Sequence, residues 1–166
     1  MCPRVRPLFS SSKVSVAGRE GVSYFALVKL SVKSDYASRA VLGLANHYSK
    51  GEALKAEELA AGYGIPANYL VQILIELKAH NIVKSVRGKE GGYLLARSPA
   101  EISLGDVLRC IHGQVFESPA LTDTKCPAEL RKAWQKLQDV LNDTAQSITF
   151  QRLLEDSAGK EKMYYI

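Results

Sequence analysis

Apolar residues recur at helical spacing in several stretches of this chain, and these stretches predict its elements. The first of them predicts a helix from a cap at Ser34 to about Tyr48, ended by Gly51. Its buried face is expected at positions i, i+3, i+4 and i+7, which are Val41, Leu44, Ala45 and Tyr48. The chain therefore begins its ordered part with an amphipathic helix.

A second pattern predicts two helices joined by a tight turn. A short helix over 56–62 and a longer one over about 67–80 flank Gly64. A helix-turn-helix needs a small residue where the helices cross and a residue that tolerates positive φ in the turn. Ala60 and Gly64 meet these two needs. Four apolar residues are expected to bury the second helix: Leu70, Ile73, Leu74 and Leu77.

The burial of that face leaves three side chains to point outward near the start of the second helix: Asn68, Tyr69 and Gln72. In a helix-turn-helix this end meets base edges, and Asn and Gln can pair with adenine through two hydrogen bonds. From this stretch alone, a plain helical hairpin with exposed amides remains the alternative.

The next segment alternates like a β-hairpin. Strands are expected over 82–86 and 93–96, around the glycine-rich turn at 87–92. A helix-turn-helix followed by such a hairpin is the order of a winged helix, which predicts a mainly α fold with a small β-wing. Arg87 and Lys89 in the turn suit contact with a DNA backbone or minor groove. The alternative is an ordinary solvated basic turn.

Two more helices are predicted towards the carboxyl end. A short one, capped at Ser103, places Cys110 on an apolar face, where a buried and inert thiol is expected. A longer helix opens at Pro127 and needs a partner surface, which a second subunit would supply. The apolar stripe of this dimerisation helix is expected to consist of Leu130, Trp134, Leu137 and Leu141.

These elements divide the chain into five parts. Residues 1–27 are expected to be a disordered extension, or to reflect the choice of start site, with Val28 as the alternative start. A winged helix-turn-helix domain over 28–113 is followed by a loop over 114–126. The dimerisation helix and a carboxyl-terminal segment occupy 127–156, and a flexible tail occupies 157–166.

Composition and charge agree with this organisation but add little to it. The net charge is +5, and residues 28–97 hold ten Lys or Arg against six Asp or Glu, a local balance of about +4. This balance mildly favours a polyanionic partner. Three cysteines, an odd number, favour reduced thiols and a cytoplasmic protein. No apolar run approaches the ~18–20 residues of a membrane span. Neither paired carboxylates, a nucleophile with its base, nor a phosphate loop indicates an enzyme.

Three stretches together resemble one known family: residues 28–40, 64–72, and 85–96, where the last reads SVRGKEGGYLLA. They are similar to the bacterial winged-helix regulators of the Rrf-two type, the IscR/NsrR/CymR-like family, over about 28–154. The resemblance implies a dimeric transcription factor, usually a repressor, on an inverted-repeat operator of double-stranded DNA.

The same resemblance assigns roles to individual positions. It implies that Ser31 and Lys33 lie near the phosphates, and that Arg87 lies in the wing. Asn68, Tyr69 and Gln72 fall on the recognition helix. Position 71 is often glutamate in the family and takes part in reading sequence, whereas this chain has Val71.

The sensing half departs further from the family. Cluster-binding members carry three cysteines in the loop before the long helix, whereas residues 114–126 hold only Cys126. Asp35 resembles a position from which some members offer a carboxylate. These two weak candidates do not predict a three-cysteine iron–sulfur cluster. Cys126 is left as a residue without a role, a redox-reactive thiol or a haem ligand, and a protein effector is a further option. A winged helix used only for protein–protein contact is the alternative function.

Overall fold

A computed structural model describes residues 30–88 and 91–163, with side chains up to residue 158. The expected extension over 1–27 lies outside this range. Six α-helices and one two-stranded sheet, with three short 3₁₀ turns between them, form the described part. In chain order they are α1 (Val32–Asn46), α2 (Ala56–Tyr63), α3 (Ala67–Ala79), β1 (Val83–Val86), β2 (Gly92–Leu95), α4 (Leu104–His112), α5 (Ala128–Ser147) and α6 (Phe150–Met163).

Helix α1 begins earlier than the sequence predicted. Its cap is Ser31, whose Oγ accepts a hydrogen bond from the Ser34 amide at 3.1 Å. The expectation that Ser34 is the cap was wrong, because its side chain is buried and donates to the Ser31 carbonyl at 2.9 Å. Tyr48 was expected on the buried face but lies in a separate 3₁₀ turn and is exposed. Gly51 then reverses the chain with a φ of 68°.

The helix-turn-helix agrees closely with its prediction. Gly64 ends α2 with a φ of 63°, as the turn requires. Ala60 is buried, as are the four residues expected to anchor α3: Leu70, Ile73, Leu74 and Leu77. These side chains share one core with α1, the base of the wing and Phe150 of α6. The core therefore fixes α3 on one side and leaves its other side free.

A close crossing of α1 and α2 depends on Gly43. A Cβ at this position would lie 2.5 Å from Leu59 Cδ1 and 2.6 Å from Tyr63 Cε2. Such distances would force the Leu59 and Tyr63 side chains to shift, so the present packing of α1 on α2 uses the missing side chain at Gly43. Ala60 was predicted as the small residue at the crossing of α2 and α3, whereas the need for Gly43 at the crossing of α1 and α2 was not predicted.

The wing is a small antiparallel sheet with a third participant. Strands β1 and β2 pair in a register that sets Val83 opposite Leu95. Leu54, in the loop before α2, exchanges two backbone hydrogen bonds with Tyr93, at 3.0 and 2.8 Å. At Gly92 a Cβ would lie 2.4 Å from the Leu54 carbonyl oxygen. The glycine is therefore needed for this pairing, and not only for flexibility of the turn.

The last helix of the chain extends further than expected. Ser103 caps α4 and forms a reciprocal capping box with Asp106. Helix α6 continues to Met163, into the segment over 157–166 that is expected to be a flexible tail. Phe150 anchors this helix in the core, and Gln151 supports it with a 2.8 Å hydrogen bond to Glu155, one turn further on. Among the described residues, no helix is long and apolar enough to cross a bilayer.

Candidate nucleic-acid interface

The outward side of α3 carries the residues that sequence reasoning assigned to base reading. Asn68, Tyr69 and Gln72 are all exposed in the first two turns of the helix. The opposite side of α3 is fully buried in the core. The helix therefore cannot rotate about its axis to bury these three side chains. The helix thus presents two amides and a phenol to the solvent at the end where recognition helices approach bases.

Tyr69 is held from the side by α1. Its ring packs edge-on against Tyr36, with 5.8 Å between the ring centroids. The guanidinium of Arg39 lies 5.8 Å from the Tyr36 centroid and also pairs with Asp35 at 2.7 Å. These contacts limit the rotamers of Tyr69. They also give Asp35, a weak metal candidate, a cation as its partner.

Two candidate phosphate contacts have partners within the protomer. Lys33 Nζ lies 2.6 Å from Glu76 Oε1, which ties the first turn of α1 to α3. Ser31 Oγ caps α1 and lies 3.0 Å from His112 Nε2 at the end of α4. His112 therefore belongs to a junction between two helix ends, as a helix-end histidine.

Among the described residues, the Arg87 side chain of the wing has no such partner. Arg87 is exposed beside Gly88, whose φ is 118°. Lys89 lies outside the described residues. At the base of the wing, Lys78 of α3 donates to Ser85 Oγ of β1 at 2.7 Å. This hydrogen bond joins the end of α3 to the first strand, so the wing is attached directly to α3.

The two described cysteines lie in different surroundings. Cys110 is buried in α4, and burial raises the pKa of its thiol to about 11. The nearby Glu76 carboxylate contributes to this raised pKa, whereas Lys33 opposes it. Cys126 is half-buried in the loop before α5. Arg131 Nη2 donates to the carbonyls of Cys126 and Asp123, at 2.9 Å each, and holds the loop against α5.

The donor atoms near Cys126 do not fit a cluster held by three cysteines. Cys126 is the only thiol between residues 114 and 126, and Cys110 lies inside α4. Within the described ranges, no three His, Cys, Asp or Glu side chains come together as metal ligands. The loop before α5 therefore supplies a single thiol where three would be required.

The side chains of the predicted dimerisation stripe differ in their surroundings: some are exposed to solvent and others pack within the chain. Leu130 and Leu137 of α5 are 48% and 41% exposed, and Val140 beside them is 52% exposed. Trp134 stacks on Phe116, with 6.2 Å between centroids and 23° between ring planes. Leu141 is half-buried. An apolar surface thus lies open along the middle of a helix of 20 residues.

Comparison with known proteins identifies relatives of this chain. The model of a family described as "Rrf2: Iron-dependent Transcriptional regulator" matches residues 30–156. A putative HTH-type transcriptional regulator of Mycobacterium tuberculosis is 50% identical over 86 residues, which are 52% of this chain and 53% of that protein. The chain therefore spans about half the length of the first curated relatives it matches. The transcriptional regulator CymR of Bacillus subtilis is 28% identical over 82% of this chain and 97% of its own.

A solved structure supports the same relationship. The structure of T. potens IscR has a TM-score of 0.69 and 30% identity, and the match covers 83% of this chain and 97% of that one.

Proposed function

This chain belongs to the Rrf2, or Rrf-two, family of transcriptional regulators, and from this premise we propose that it represses transcription as a DNA-binding homodimer on an inverted-repeat operator. The family match confirms the resemblance and the winged-helix fold, and it places the chain among regulators rather than enzymes. The observation that carries the proposal is the exposed amino-terminal half of α3, with Asn68 and Gln72 on a helix whose other side is buried. A cytoplasmic location is part of the proposal.

The proposal assigns base reading to α3 and backbone contact to its surroundings. Asn68 and Gln72 can each accept and donate at an adenine edge in the major groove. Tyr69 can contribute its hydroxyl from the position that Tyr36 gives it. Arg87 is paired with no carboxylate among the described residues and can move to a phosphate with the glycines beside it. Lys89 is assigned the same role.

Ser31 and Lys33 are proposed to lie beside the phosphates near the start of α1. There the Lys33 ammonium must either leave Glu76 or share its protons with a phosphate oxygen.

The homodimer is proposed to form along α5. Leu130 and Leu137 are separated by seven residues and therefore lie on one side of the helix, with Leu141 one turn further. Burying such a stripe against the same stripe of a second copy removes both from water. Trp134 supports the stripe from within through its contact with Phe116. In a two-fold dimer the two copies of α3 would be related by the same symmetry as the half-sites of a palindromic operator. Those half-sites lie about one turn of the DNA helix apart.

We propose that the signal does not pass through a three-cysteine iron–sulfur cluster. The matched family is described as iron-dependent, yet the loop before α5 offers one thiol. Control by a protein effector, or by oxidation of Cys126, is compatible with this donor set. The remaining alternative is that the Cys126 thiolate serves as an axial ligand of haem iron.

Salt dependence of DNA binding tests the proposal. An operator is first selected from a pool of random duplexes with the full chain, and its affinity is then measured by fluorescence anisotropy at increasing salt. A DNA binder loses affinity steeply with salt, and Arg87→Ala should flatten the slope of log K against log salt by about one. Lys132→Ala, an exposed lysine on α5, is the matched control and should leave the slope unchanged. If no duplex is enriched or bound at low salt, the winged helix serves protein–protein contact instead.

A further inference from the structure

One straight row of side chains runs along the outward side of α3. Asn68, Val71, Gln72 and Ile75 stand at i, i+3, i+4 and i+7, which places them on one face of a helix. All four are exposed. The row is opposite the buried row that anchors α3 in the core, and it alternates between amides and aliphatic side chains.

The two aliphatic residues of this row are unusual in their exposure. Val71 is 42% exposed and Ile75 is 56% exposed, although most aliphatic side chains of α3 are fully buried. A single exposed apolar residue on a protein surface is ordinary. Here two branched side chains one turn apart extend the same face as the amides of Asn68 and Gln72. This arrangement forms one mixed surface, not isolated exposure.

The charge of this face suits DNA. The row contains no charged residue, and α3 has only one carboxylate, Glu76. That carboxylate is neutralised by Lys33 at 2.6 Å. Nothing on the row therefore repels phosphates, and the uncharged aliphatic groups can approach the floor of a groove. The 5-methyl group of thymine is the apolar group that base edges offer in the major groove.

We propose that Val71 and Ile75 select thymine by contact with its 5-methyl group, and that Ile75 is a base-reading residue. Amides that pair with adenine would alternate along the groove with aliphatic groups that cover thymine methyls, so each half-site should contain A·T pairs read on both strands. The inference rests on the proposed function and deepens it, because it concerns which bases the same helix reads.

Replacement of thymine by uracil in the selected operator tests this inference. The exchange removes only the methyl group and keeps every hydrogen-bonding atom, and it leaves the protein untouched. We expect uracil to weaken binding at two positions of each half-site, by roughly fourfold per methyl group, as for burial of one such group. With Val71→Ala the penalty at one position should vanish, and with Ile75→Ala the penalty at another.

The controls separate this inference from the proposed function. Tyr48→Ala removes a similarly exposed apolar side chain, 41% exposed in the turn after α1, and should retain the full ratio of thymine to uracil affinity. A duplex that binds with the expected salt dependence but is indifferent to uracil at every position would overturn the inference alone. An equal uracil penalty in the wild type and both α3 variants would do the same. Absence of any duplex binding would instead overturn the proposed function.

Discussion

The ammonium of Lys33 lies 2.6 Å from the Glu76 carboxylate and joins the first turn of α1 to the middle of α3. Both side chains are about one-third exposed, at 31% and 37%, so water screens the pair and its contribution to stability is at most about 1 kcal/mol. Its larger effect is electrostatic. It neutralises the one carboxylate of the proposed recognition helix and occupies a lysine that could otherwise contact a phosphate.

Glu76→Gln is therefore expected to strengthen DNA binding. The substitution frees Lys33 and removes a negative charge, so the slope of log affinity against log salt should steepen by about one. The free energy of unfolding should fall by less than about 1 kcal/mol. Anisotropy titrations and urea denaturation measure the two effects. Glu129→Gln makes the same charge change at the start of α5 and should alter neither. Weaker binding by the Glu76 variant would show that the pair positions α3 instead.

The two described thiols should differ sharply in reactivity. Burial raises the pKa of Cys110 to about 11, so almost no reactive thiolate forms there at pH 8. We expect iodoacetamide to alkylate Cys126 at least about ten times faster than Cys110 in the folded protein, as followed by peptide mass spectrometry. In urea the two rates should converge. Equal rates without denaturant would mean that α4 opens readily.

The raised pKa of Cys110 also predicts a pH dependence of stability. Because the pKa is raised from an ordinary value near 9 in the unfolded chain, the stability it contributes is complete below about pH 9. It is lost as the pH rises towards 11, where the unfolded chain releases the proton first. Urea midpoints of the wild type and Cys110→Ala should therefore converge between pH 9 and 11. A constant difference between the two urea midpoints from pH 9 to pH 11 would contradict this prediction.

The sequence predicted the parts of the fold that depend on local rules. Gly64 was identified because a tight turn needs positive φ, and the buried row of α3 was identified from its spacing. Ser34 was mistaken for the cap because both Ser31 and Ser34 are good capping residues. What decides between them is the burial of Ser34 next to His112, a contact 78 residues away.

Contacts between distant segments were beyond the reach of sequence reasoning. Neither the Lys33–Glu76 pair nor the pairing of Leu54 with Tyr93 leaves a periodic signal. The hydrogen bond from Arg131 to the Cys126 carbonyl was missed for the same reason. Ile75 was different, because its place in line with Asn68 could have been found by tracing the outward face of α3 as carefully as the buried one.

The proposed dimer predicts the effect of a charge on α5. Leu137→Glu places a carboxylate in the middle of the exposed apolar stripe, where dimerisation would bury it without a partner. We expect this variant to be monomeric by analytical ultracentrifugation and to bind its operator at least about tenfold more weakly. Lys132→Glu changes the charge by two units outside the stripe and should remain dimeric. A dimeric Leu137 variant would place the interface elsewhere.

Two glycines give opposite predictions for the same substitution. At Gly92 an added Cβ would lie 2.4 Å from the Leu54 carbonyl oxygen, so Gly92→Ala must push apart the backbone pairing that attaches the wing. We expect a loss of about 1–3 kcal/mol in the free energy of unfolding. Gly62 lies inside α2 with nothing within 4 Å of its added Cβ. There Gly62→Ala should stabilise the protein by about 0.5 kcal/mol, because alanine costs less entropy in a helix. Urea denaturation of the two variants measures both signs. A neutral Gly92 variant would mean that the wing can detach from Leu54 without cost.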